Sequence, residues 1–191
     1  MKSLLLVICG TLLLVLPVNA QYSEKLANEE GFNGIRIGSP LYSVRKYFLK
    51  DSITKKDILD TTESMVQFSE AIYLVDLKQP GFEEFYGCKI ERIEVYVAKA
   101  DDWLVREIDS TTQIVQYIKI FTVKTDSAYF QDFIGWIYAD YGAYSEYLDY
   151  YQPGDAEYRW GSQRVKMTVT NYYGEATIRR DYHLVTFSEN Y

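Results

Sequence analysis

Hydrophobic residues fall in two rhythms along this chain. From Ile90 to Ala98 they alternate: Ile93, Val95 and Val97 face one way, Arg92, Glu94 and Tyr96 the other, the period of two that a half-buried strand requires. Ile114 to Val123 carries apolar groups on both faces and reads as a strand central to a sheet. Phe130, Phe133, Ile134, Ile137 and Tyr141 instead recur at helical spacing, with Thr125-Asp126-Ser127 as a cap before them and Gly142 as a stop. A second helix is predicted after Ser39-Pro40, on which Leu41, Val44, Phe48 and Leu49 share one face as far as Asp51. Shorter strands are read at Gly34–Gly38, Ala71–Leu77 and Glu157–Trp160. Arg164–Thr170 and Ala176–Phe187 form a hairpin around Tyr172-Tyr173-Gly174-Glu175. A helical turn over Lys55–Leu59 and a turn at Pro153-Gly154 complete the pattern, with a loose strand–helix echo between the halves. The expected class is α+β: an antiparallel sheet of about six strands with two main helices packed on one face.

The pattern begins only after residue 20. Met1-Lys2, the apolar run Leu4–Leu16 and the small-x-small close Val18-Asn19-Ala20 have the form of a secretory signal peptide cleaved after Ala20. The chain therefore divides into a leader, 1–20, a polar lead-in, 21–33, and one domain, 34–191. The expected location is periplasmic or secreted. No second apolar stretch of ~18 residues follows, so a membrane-integral protein is not expected. The formal net charge of −7, without a basic run, argues against nucleic acid as a partner. Cys9 lies in the leader, leaving Cys88 alone and expected to be a buried small apolar residue. No Asn-x-Ser/Thr acceptor follows the leader, which suits bacterial export.

Sets of residues that could carry chemistry are sparse. His183 is the only histidine, in the last predicted strand, and no Gly-x-Ser-x-Gly elbow accompanies it. It is expected to be a half-buried or surface structural residue. One histidine and one cysteine do not make a zinc site, and Asp149 to Asp155 lacks the spacing of a calcium loop. Gly31-x-x-Gly34 and Gly34-x-x-x-Gly38 read as turns around a short strand rather than phosphate cradles. The doublets Glu83-Glu84 and Asp101-Asp102 point to opposite faces and form no glycosidase pair. No catalytic residue, metal or cofactor is assigned.

One compositional feature changes the picture. Aromatic residues make up 16% of the chain, 19 of them tyrosines, and they concentrate between Tyr138 and Trp160. Tyrosine offers a large, stiff ring with a polar tip, suited to contact surfaces. Tyr144, Tyr147, Tyr150, Tyr151, Tyr158 and Trp160 are the candidate binding residues, for a protein partner or, alternatively, for stacking against a glycan. The competing reading is that these rings pack over the sheet's rim.

The run Gly34-Ile35-Arg36-Ile37-Gly38-Ser39-Pro40-Leu41-Tyr42-Ser43-Val44 resembles the entry motif of small bacterial envelope domains of the β-lactamase-inhibitor-protein-like type, which includes the SmpA/OmlA outer-membrane lipoproteins. Gly38 and Val44 match the spacing of that motif, and Tyr141-Gly142 resembles the close of a second helix–strand unit. The chain departs from it in having no lipidation cysteine, and Leu49-Lys50-Asp51 where a Gly-x-Pro follows the helix. The resemblance implies an exported, non-enzymatic domain that works by binding proteins. The matching positions are structural, so no binding residue carries over. The expectation is thus a non-catalytic interaction protein of the bacterial envelope or extracellular space, docking a protein partner through the Tyr-rich loop.

Overall fold

The computed structural model describes residues 22–55, 71–99, 113–123, 127–149, 156–172 and 182–190. The expected leader, the Lys55–Leu59 turn beyond Lys55, the Pro153-Gly154 turn and the apex of the last hairpin lie outside the described residues. In chain order the elements are α1 (Glu24–Glu29), β1 (Gly31–Phe32), β2 (Ile35–Arg36), α2 (Leu41–Val44), β3 (Phe48–Lys55), β4 (Ala71–Val75), β5 (Glu84–Phe85), β6 (Cys88–Lys99), β7 (Gln113–Val123), α3 (Ser127–Tyr141), β8 (Glu146–Asp149), β9 (Ala156–Gly161), β10 (Val165–Tyr172) and β11 (Tyr182–Glu189).

The architecture is mostly β. A nine-stranded antiparallel sheet runs β3-β4-β6-β7-β11-β10-β9-β8, with β5 paired to β6, and among the described residues only α3 is a long helix. The expected α+β arrangement of two main helices on about six strands is therefore corrected. The helix predicted after Ser39-Pro40 shrinks to the single turn α2 and a 3₁₀ turn, Arg45–Tyr47, before the chain becomes strand at Phe48. Ser39 does not cap it: its carbonyl accepts from Val115 N (2.9 Å), tying this segment to β7, and Pro40 stands at the cap without a side-chain bond. Phe48 pairs with Val75, stacks on Tyr73 (ring centroids 5.0 Å) and is buried. Tertiary pairing overrides a spacing that fits either element.

Read outward from its centre, the sheet runs β7-β6-β4-β3 on one side and β11-β10-β9-β8 on the other. Each side follows a helix, α2 or α3, and the last main strands of the two halves pair antiparallel at the centre, with Ile120 opposite Val185 and Ile118 opposite Phe187. The strand–helix echo of the sequence thus becomes a two-fold-like layout.

Alternation gives the sheet two unlike faces. Ile93, Ile120, Val185 and Val169 form one cross-strand row on one face, and Val95, Ile118, Phe187 and Met167 the next; all are fully buried. Phe130 and Phe133 of α3 close over this face, packing against His183 at 4.6 and 5.8 Å. The segment read as a polar lead-in belongs to the same core. Ser23 accepts a bond from Leu26 N to cap α1, Leu26 is fully buried, and Phe32 packs on Phe82 and Phe85.

Candidate functional site

The two apolar rows do not stop at β10. Val169 stands opposite Tyr158, and Tyr158 opposite Tyr147; Met167 stands opposite Trp160. Both aliphatic rows therefore end in aromatic rings, one at Tyr147 of β8 and the other at Trp160 of β9. Helix α3 stops beside them at Gly142, whose φ of +81° is costly for any side-chain-bearing residue. The Trp160 indole N–H donates to the Gly142 carbonyl at 2.8 Å, pinning the helix end to the sheet. Tyr144, just beyond, meets Tyr158 edge-on at 5.2 Å and Trp160 at 6.1 Å, while Tyr147 lies 5.0 Å from Tyr158.

The candidate rings therefore divide into two sets. Trp160 is fully buried and Tyr158 is 7% exposed, so these two form a floor. Burial pushes the Tyr158 phenol above its ordinary range. Tyr144 and Tyr147, at 38% and 45% exposed, stand on that floor, and Tyr138 of α3 joins them at 48%. The pattern of residues assigned Tyr138 to the helix and omitted it from the site. Its place is set by Gly142, which ends the helix one turn later. Tyr150 and Tyr151 lie outside the described residues. Among the described residues β8 pairs with β9 alone, so the aromatic edge adjoins a strand with one unpaired side.

The opposite face of the sheet carries a polar and aromatic lattice. Glu94, Lys119, Thr186, Thr168, Arg159 and Glu146 form one cross-strand row there. Tyr96 and Tyr117 stack at 4.1 Å, with the Lys119 ammonium over both rings. The Arg92 guanidinium covers Phe121 at 3.9 Å and pairs with Glu94 at 2.8 Å. Arg159 is held between Glu146, at 2.5 Å, and Glu157. The alternation of Arg92, Glu94 and Tyr96 signals this face in the sequence. Its partners on β7 and β9 do not show there, because cross-strand register is not local.

His183 and Cys88, the two residues weighed above for nucleophilic chemistry, are both packed in the interior. His183 is fully buried, against the expectation of a half-buried or surface position, and its ring is packed between phenylalanines of α3. Cys88 is 1% exposed, and burial pushes its thiol up to about 11, the opposite of what a nucleophile needs. No group of three or more metal-ligating side chains occurs among the described residues. Among the described residues a cluster of ionisable groups joins α1 to the end of α3. Lys25 pairs with Asp140 (2.9 Å) and Glu29 (3.6 Å), Tyr86 donates to Asp140 at 2.5 Å, and Tyr141 donates to Glu29 at 2.7 Å. It works as a clamp. No helix among the described residues is long and apolar enough to cross a membrane.

No family model, curated protein or solved structure matches this chain.

Proposed function

We propose that the protein is an exported, non-catalytic binding module that docks a protein partner of the bacterial envelope or extracellular space through its aromatic edge. The observation that carries the reading is the cluster of Tyr138, Tyr144 and Tyr147, all more than a third exposed, on a buried floor of Tyr158 and Trp160. Large rings held in place before contact lose little freedom on binding, which is how a few aromatic residues come to dominate an interface. The same geometry speaks against a glycan platform here. The Tyr138 and Tyr144 rings meet at 73° and those of Tyr144 and Tyr147 at 48°, so they present no common flat surface. Trp160, the ring best suited to sugar stacking, has no accessible face. The leader sequence supports an exported location.

A photo-crosslinking phenylalanine analogue placed at position 147 tests the reading against the same analogue at position 42, where Tyr42 is 79% exposed on α2. Crosslinking in envelope and culture fluid should yield one defined adduct from position 147 and none in common with position 42. The double change Tyr144→Ser, Tyr147→Ser should abolish binding to the identified partner while leaving the circular dichroism spectrum unchanged. Equal adducts from both positions, or undiminished binding by the folded double variant, would sink the proposal.

A further inference from the structure

On the face of β9 opposite the aromatic edge, a cavity of about 500 Å³ opens between the β8 and β10 sides of the strand. That size lies within the ~300–1,000 Å³ of small-molecule sites. Its floor is Gly161, and its walls are fixed by backbone. The N-terminal segment lies parallel to the end of β9, with Tyr22 opposite Gly161 and Ser23 N donating to the Gly161 carbonyl at 3.0 Å. Ser145 donates to the Arg159 carbonyl through both its amide (2.7 Å) and its hydroxyl (3.0 Å). Asn190 closes the far side, its amide group donating to the Ser162 carbonyl at 2.6 Å and its backbone to the Arg164 carbonyl at 2.9 Å. A site held this way has little to reorganise on binding.

The lining chemistry selects among ligands. Arg159 and Lys166 disfavour a metal cation, and Glu146 disfavours a multiply charged phosphate. One half-exposed ring, Tyr22, is too little apolar surface for a hydrophobic ligand. What remains is a mixture of donors and acceptors: the Arg159–Glu146 pair, the Gln163 and Asn190 amides and the Ser145 hydroxyl around one ring. A hydroxyl donates and accepts at once, so neighbouring sugar hydroxyls match such a wall. Lys166 adds selectivity. Arg159 is neutralised by Glu146 and Glu157, whereas the Lys166 ammonium has no ion-pair partner among the described residues. We infer that this cavity is a saccharide site for one or two rings bearing a carboxylate, with the hydroxyls on the Arg159–Glu146 wall and the carboxylate on Lys166. It is independent of the aromatic edge, which lies on the other face of the same strands.

Amide chemical shifts read the site directly, with glucuronate and N-acetylneuraminate as probes and glucose and N-acetylglucosamine as their uncharged controls. The acidic sugars should shift the amides of Arg159, Gly161 and Ser162 saturably, and bind roughly tenfold tighter than the neutral ones, the worth of one charge-assisted hydrogen bond. Lys166→Gln should erase that preference while leaving weak binding of both sets. Gly161→Val should abolish both: a Cβ at Gly161 comes no closer than 3.7 Å to Asn190 and 3.9 Å to Ser145, so the fold accepts it while the cavity fills. The double change Tyr144→Ser, Tyr147→Ser should leave sugar binding intact, so the two sites fail separately. Absence of saturable shifts with every probe overturns the inference. So do shifts centred elsewhere, an acid preference that survives Lys166→Gln, or equal shifts from sulfate.

Discussion

Within one aromatic cluster, burial decides what a ring is for. Trp160 has no exposed surface and holds the end of α3 through Gly142, so Trp160→Ala should cost about 3–5 kcal/mol, the range for deleting a large buried ring. Tyr147, 45% exposed on the same floor, should lose less than ~1 kcal/mol on truncation to alanine. Urea denaturation midpoints check both, and a comparable loss at Tyr147 would make it a packing ring and remove it from the docking surface. The sequence carried part of this distinction. Glu157 and Arg159 alternate with Tyr158 and Trp160, so the two rings must share a face, and that face continues the two rows that reach Val169 and Met167. Nothing local says that these rows are roofed by α3. The pairing of β9 with β10 and the return of the helix over them are long-range facts, invisible in a window of a few residues.

Elements differ in how far their own residues specify them. Helix α3 and strands β6 and β7 fall where their periods put them, because each has a full face of apolar side chains. The α2–β3 passage does not, since Leu41, Val44 and Phe48 satisfy a helical spacing while Phe48 pays better by pairing with Val75. Helix α1 was hidden for a different reason. Its burial rests on Leu26, and its outer residues reach α3 through polar bonds. Those bonds make its attachment depend on pH. Bonds from Tyr86 and Lys25 hold Asp140 below the usual carboxylate range, so this contribution is present at neutral pH and is lost as pH falls through that depressed value. Burial, then bonds to the carboxylates, push the Tyr86 and Tyr141 phenols up; their contribution is full below the unfolded phenol value and fades above it. Protection of the α1 amides from hydrogen exchange should therefore be greatest between roughly pH 4 and pH 10, weakening on either side. Tyr141→Phe should flatten the alkaline arm, and an unchanged alkaline arm would remove Tyr141 from the clamp.

The whole molecule is governed by the seam where β7 meets β11. Each half of the sheet follows its own helix, and a fold assembled this way could unfold in two stages. The seam argues otherwise. Ile118, Ile120, Val185 and Phe187 face one another across it, all fully buried, and the polar lattice of the other face crosses it too, from Lys119 to Thr186. Splitting the halves would expose the centre of both apolar rows at once. At ~25 cal/mol per Å² of apolar surface, several large side chains uncovered together cost on the order of several kcal/mol, comparable to the entire stability of a domain. One transition is therefore expected. In a Trp103→Phe variant, which keeps Trp136 and Trp160, fluorescence reports on the second half, whereas far-ultraviolet circular dichroism reports on the entire sheet. The two should give coincident urea transitions, and Ile120→Ala should move both midpoints together by the ~2–5 kcal/mol of a core truncation. A fluorescence transition that separates from the dichroism would mean that the seam joins two independently stable halves. Coincidence would mean that the aromatic edge and the cavity beside Gly161 rest on a scaffold whose integrity is set at the β7–β11 seam, two strands in from β9.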